Sequence, residues 1–87
     1  MSVTVRIPRV LSQAVTTGLR HEAEGQTLGA VLESLFSREP GLENHLLDEV
    51  GRIRPHVLIF VDAVRADLDT PVGPASEVQV LQAVSGG

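Results

Sequence analysis

The chain has 87 residues, 43 % of them hydrophobic, and a formal net charge of −4. That length gives one small domain with a modest core, and the hydrophobic fraction places it among folded rather than disordered chains. It has no cysteine, which excludes disulfides, thiolate metal sites and a cysteine nucleophile; its acidic balance and its two aromatics, Phe36 and Phe60, leave out the basic patch and stacking platforms of a nucleic-acid binder.

The opening "MSVTVRIPRVL" carries Arg6 and Arg9 inside its apolar stretch and lacks the h-region of a signal peptide. No apolar run approaches the roughly 18 residues that span a bilayer. The expected setting is therefore the cytoplasm, with no membrane and no nucleic-acid partner, and an acidic chain suits a basic protein partner. All seven basic residues that carry a full charge are arginine, and lysine is absent.

Val3, Val5 and Ile7 alternate with Thr4 and Arg6, the period-two pattern of a half-buried strand. Pro8 cannot donate to a ladder and ends that strand or marks an edge or bulge. A second, weaker strand is predicted over Leu19–Glu24, after a "TTG" turn signal and before Gly25, with an irregular connection through 9–18. Thr27 is the expected N-cap of a helix. Behind it Leu28, Val31, Leu32, Leu35 and Phe36 form one apolar face. Gly29 costs helix propensity in the first turn, which points to close packing or a partner's approach there. Pro40 and Gly41 stop the helix, and Leu42, Leu46 and Leu47 are expected to cap the core from a short helical turn.

"HVLIFV" (56–61) is a continuous apolar run and reads as a strand covered on both faces or lying at the sheet's middle. Residues 62–69 read as a polar turn with a short strand around Val64–Ala66, and "TPVGPAS" (70–76) reads as loop. In the last strand, 77–84, Val78 and Val80 face one way and Gln79 and Leu81 the other. The order β-β-α-β-(β)-β fits one mixed sheet with one helix on one face. A ferredoxin-like domain would need a second helix, and nothing between 62 and 77 reads as one. The expected fold is α+β, a β-grasp (ubiquitin-like) mixed sheet of four to five strands. The first and last strands would lie parallel at its centre. The domain is expected over 1–84, with a flexible Ser-Gly-Gly tail at 85–87.

That tail, "QAVSGG", holds no apolar anchor after Val84. Glycine has no Cβ, so Gly86 and Gly87 can pass through a channel that other residues would block. The α-carboxylate is ionised near neutral pH and is a poor electrophile. Attack on the α-phosphate of ATP would make an acyl-adenylate, and sulfide or persulfide would convert that to a thiocarboxylate. The chain has no phosphate loop of the GxxxxGK[ST] type, so a partner enzyme must supply the ATP site. With no cysteine and no lysine, the chain carries no side-chain thiol or amine to capture the activated end.

"VTVRIPRVL", "EGQTLGAVLESL", "PGLENHLLDEVGRIRPHVLIFVD" and "VQVLQAVSGG" together resemble the prokaryotic ubiquitin-related sulfur carriers over essentially the whole chain. That group includes the molybdopterin-synthase small subunit, the thiamin-pathway carrier and the cysteine-biosynthesis carrier. "VTVxIP" and "TLGAV" look most like the cysteine type. The resemblance implies that Gly87 is adenylated by an E1-like adenylyltransferase and carries sulfur as a thiocarboxylate. Gly86 and Ser85 would thread the partner's channel, and Ala83 and Val84 would dock beside it. It implies a protein co-substrate rather than an enzyme, with no bound cofactor or metal. ATP and the sulfur source would be used by the partner. A sulfur-accepting synthase and a metalloprotease for tail processing complete the implied partners, and the free carrier would be a monomer. The other roles in reach are a molybdopterin-synthase-type small subunit, a ubiquitin-like covalent modifier, and a structural domain with an incidental glycine pair. Where relatives often carry an Asn-Gly-type turn after the third strand, this chain has "VDAVRAD".

Other candidates read as structure. His21, His45 and His56 lack metal-ligand spacing and are expected at the surface or a strand edge. Asp62, Asp67 and Asp69 lack the calcium-loop pattern and read as a solvated turn. Arg52 and Arg54 flank Ile53 and are expected on one strand face. Leu81 faces away from the helix, and an apolar residue exposed beside the tail is a candidate partner anchor.

Overall fold

In a computed structural model, described here over residues 2–83, five strands form one mixed sheet. They are β1 (Val3–Arg6), β2 (Arg20–Ala23), β3 (Val57–Val61), β4 (Val64–Arg65) and β5 (Glu77–Gln82). The order across the sheet is β2-β1-β5-β3-β4. β1 and β5 run parallel, with Val5 level with Val78; every other pairing is antiparallel. This is the expected β-grasp sheet, with its parallel pair inside. The expected boundary between domain and tail, at 84/85, lies outside the described residues.

Helix α1 (Leu28–Arg38) crosses one face. Its Leu28, Val31, Leu32, Leu35 and Phe36 are all buried, against Val3 and Val5 of β1, Ile59 of β3 and Val78 and Val80 of β5 within one core. The Thr27 hydroxyl accepts from Ala30 N at 3.2 Å, the expected N-cap. Pro40 ends the helix and starts a 3-10 turn, Pro40–Leu42, which leads into α2 (Glu43–Leu46). Leu42 and Leu46 from these turns are fully buried and close the bottom of the core. The 9–18 connection is more regular than its sequence implied: Arg9–Ala14 makes 3-10 turns on both sides of a kink at Leu11, whose side chain is buried.

β3 lies inside the sheet, between β5 and β4, which bears out one of its two expected placements. The other is corrected, because β3 is covered on one face only: Val57, Ile59 and Val61 are buried, while Leu58 and Phe60 on the other face are half-buried. Its β-branched apolar run hid an alternation that no polar residue marks. His21 lies on the edge strand β2, one of the two places expected for it, but it is buried there, at 7 % exposure. It points inward from β2, and its Nε2 lies 2.7 Å from the Gly18 carbonyl. A carbonyl only accepts, so Nε2 carries the hydrogen.

The outer edge of β2 is partly closed by the helix. Arg38 Nη2 donates to the Glu22 carbonyl and Ser34 Oγ accepts from Glu24 N, which blunts an edge that could otherwise pair with another chain.

The turn between β3 and β4 holds two non-glycine residues at positive φ, Asp62 at 50° and Ala63 at 69°. A two-residue connection between twisted strands demands this backbone. Asp62 tolerates it and is tied down: its N–H donates to Glu77 O (2.9 Å) and its Oδ1 accepts from Glu77 N (3.0 Å). Ala63 has no such compensation. Ala63→Gly is expected to stabilise the fold by about 1 kcal/mol, the left-handed penalty of an L-residue. Urea denaturation should show a higher midpoint at unchanged slope.

Candidate functional site

β5 is held along its length by β3, from Val78 against Val61 to Gln82 against Val57. One more bond follows the strand: Ala83 N donates to His56 O at 2.7 Å. The backbone is thus fixed to the last described residue. Whatever follows Ala83 starts from a rigid, central strand. Val84, Ser85, Gly86 and Gly87, the positions expected to dock, thread and carry, lie outside the described residues. Of the expected site only Leu81 and Ala83 are placed, and both are exposed.

Leu81 lies on the sheet face away from α1, as its alternation predicts, at 37 % exposure. It sits directly across from Leu58 of β3, while Phe60 lies across from Gln79. Phe60 is thus a diagonal neighbour of Leu81, within reach of an aromatic ring. Leu58, Phe60 and Leu81 make one apolar strip on an otherwise polar face. Arg65 flanks it on β4, opposite Phe60. Arg6 flanks it on β1, bonded to Glu77 at 3.1 Å with both side chains about half exposed. The strip was half visible in the sequence. Leu81 was singled out there, whereas the run holding Leu58 and Phe60 read as covered on both faces or central in the sheet, with neither residue assigned to an open face.

The start of α1, where free backbone N–H groups could hold a phosphate, is filled internally. Leu28 N donates to Thr70 O and Gly29 N to Leu68 O, each at 2.9 Å; Val31 N donates to Thr27 O at 3.0 Å. With Ala30 N on the Thr27 hydroxyl, the three donors of Leu28, Gly29 and Ala30, which no helical carbonyl can take, are spent, and Val31 N makes the helix's own first bond. Gly29 is tight as expected: a Cβ there would lie 3.2 Å from Leu68 O. Its neighbour is the chain's own 68–70 segment.

A second polar cluster sits below the 9–18 connection. Glu39, 2 % exposed, accepts from Thr16 N (2.9 Å), from the Thr16 hydroxyl (3.1 and 3.0 Å) and from the Thr17 hydroxyl (2.8 Å). These donors, the Thr17 hydroxyl foremost, hold its carboxyl below the ordinary glutamate value against the opposing effect of burial. Sequence reading missed this cluster, because it depends on where a loop lands.

The remaining candidates take structural places. Arg52 and Arg54 flank a single bridge, Leu47 to Ile53, rather than a strand. Asp48 Oδ1 closes the preceding turn by accepting from Val50 N and Arg52 N. Arg54 Nε donates to Asn44 O at 2.7 Å. Asp67 Oδ1 accepts from Asp69 N and Thr70 Oγ1, an ordinary side-chain turn. Among the described residues no group of three or more His, Asp or Glu side chains could hold a metal ion, and no helix is long and apolar enough to cross a membrane.

A mixed sheet with a parallel inner pair, one crossing helix and a strand that delivers its own C-terminal extension defines a ubiquitin-like β-grasp protein. Comparison narrows that class: the chain belongs to the ThiS family, which it matches over residues 5–87. It is 34 % identical to the sulfur carrier protein CysO of Mycobacterium tuberculosis over 93 aligned positions, covering all of both chains. Its structure is similar to that of M. tuberculosis CysO, with a TM-score of 0.85, 31 % identity, and 94 % and 99 % of the two chains covered. It is also similar to a chain of the BexX/CysO complex of Amycolatopsis orientalis, with a TM-score of 0.89, 26 % identity, and 98 % and 99 % covered.

Proposed function

We propose that this chain is a cytoplasmic sulfur carrier of the cysteine-biosynthesis type. It is a protein co-substrate whose C-terminal Gly87 is adenylated by a separate E1-like enzyme and then thiocarboxylated. Full-length similarity to a CysO sulfur carrier supports this most directly. The anchoring of β5 through Ala83 supports the delivery step, because a tail that enters another protein needs a fixed base.

The chemistry divides between two proteins. The Gly87 carboxylate oxygen attacks the α-phosphorus of ATP, and pyrophosphate leaves. Sulfide then attacks the acyl carbon, AMP leaves, and the thiocarboxylate remains. With a persulfide the same attack gives an acyl disulfide, which a second thiol on the sulfur source cleaves to the thiocarboxylate, forming a disulfide with the departing sulfur. The filled first turn of α1 supports placing the nucleotide in the partner. Gly86 and Ser85 pass through the partner's channel, while Leu81, Ala83 and Val84 dock at its mouth. The acceptor of the sulfur is a synthase. The Amycolatopsis neighbour was solved in complex with BexX, which supports a protein partner for the carrier. The metalloprotease implied by resemblance would act on the same tail.

The test is an intact mass after incubation with the cognate E1-like enzyme, ATP and sulfide. We expect a gain matching exchange of one oxygen for sulfur, absent when Gly87 is deleted. An unchanged mass in a folded protein would overturn the carrier reading. Higher-mass adducts on other proteins would instead favour the covalent modifier.

A further inference from the structure

We infer that the Arg9–Ala14 turn is a second recognition element for the tail-activating enzyme, with Val10 as its contact residue and Glu39 as its brace. The inference rests on the carrier reading above and names a surface which that reading leaves out.

The register places the turn. β1 and β5 run parallel, with Arg6 level with Gln79. β1 ends at that level, and the chain leaves the sheet through Ile7 and Pro8 into the Arg9–Ala14 turn. The turn therefore stands at the end of the sheet from which β5 delivers the tail. Val10 is 68 % exposed there. It borders an open cleft of about 390 Å³ whose other walls include Leu11, Ser12 and His45.

The length of the tail decides what covers Val10. Four residues follow Ala83, and fully extended they reach at most about 14 Å. An enzyme that encloses Gly87 must bring its surface at least that close to Ala83. It then abuts the end of the sheet on both sides of the tail. Leu81 meets it on the open face, and the Arg9–Ala14 turn meets it on the other. Water expelled from Val10 favours that contact.

A contact residue on a loop is useful only when the loop is fixed, and this one is fixed from below. Leu11 is buried in the core. Gly41 lies so close that a Cβ there would come within 2.8 Å of Ala14 O. Glu39 takes the Thr16 amide and both threonine hydroxyls, and His21 holds Gly18 O. Glu39 touches no substrate, so it acts as a positioning residue.

The test is ATP–pyrophosphate exchange by the cognate E1-like enzyme, titrated with the intact carrier. Val10→Asp should raise KM for the carrier about tenfold, the size of an interface contact residue, with kcat within about twofold. Val64→Asp adds the same charge at a residue equally exposed (68 %), in the β3–β4 hairpin at the opposite end of the sheet, and should leave KM unchanged. Thr17→Val removes one bond to Glu39 and should raise KM about threefold without changing kcat. Equal KM for Val10→Asp and wild type, or an equal rise in Val64→Asp, would overturn the inference while leaving the carrier reading intact. Absence of exchange with the wild-type chain would instead sink the carrier reading, and this inference with it.

Discussion

Leu81→Asp is expected to raise the activating enzyme's KM for the carrier by roughly 30-fold, equivalent to about 2 kcal/mol and typical of an anchor at the centre of an interface. Leu81 lies across from Leu58 and diagonal to Phe60, two residues before the last described position, so any enzyme enclosing the tail covers it. A carboxylate there would be desolvated on binding without a partner, which adds to the loss of apolar contact. The fold should survive. Leu81 already meets solvent in the free protein, and it is held in the sheet by its backbone pairing with β3. We expect unfolding free energy to fall by no more than about 1 kcal/mol, with an unchanged circular dichroism spectrum. A KM within twofold of wild type would remove the open sheet face from the docking surface.

Leu81 also shows what a single strand can disclose. In "EVQVLQ" the two valines alternate with polar or exposed neighbours, so period two fixes which side meets the helix. In "HVLIFV" every residue is apolar, so the pattern carries no phase. Only pairing with β5 reveals that Leu58 and Phe60 face outward. The helix was legible for the first reason: five apolar residues fell on one face behind a threonine cap, and all five are buried. The Glu39 cluster was not legible. Its donors lie 22 and 23 residues away along the chain, and nothing in "TTG" or "REPG" says that they meet. His21 followed the same rule. Its strand position was expected, but its inward orientation depended on the register of β2 against β1, where it sits level with the buried Val5.

Gly25 carries the second large effect. In the sequence it served only to mark the end of a strand, while Gly29 drew attention as the tight position. The structure reverses their weight. A Cβ on Gly25 would lie 2.6 Å from Val31 N, 2.8 Å from Ala30 C and 2.9 Å from Ala30 Cβ. Two of these atoms are helix backbone and cannot swing aside as a side-chain tip could. Gly25→Ala must therefore push the first turn of α1 off the sheet. Leu28 and Val31 in that turn are fully buried. We expect a loss of about 3 kcal/mol, the upper range for overpacking. Gly18→Ala is the contrast. Gly18 sits at φ +100° with open space around it, so its cost is backbone strain alone, about 1–2 kcal/mol. Urea melts of the two variants should keep that order. Gly25 follows the end of β2 that pairs with the start of β1, far from where the tail leaves. Folded Gly25→Ala protein should therefore be activated with wild-type KM, losing only the amount that is folded. If the two melts coincide, the start of α1 yields more readily than its contacts suggest. A raised KM at matched folded fraction would mean that displacement at the helix start reaches the tail end through the core.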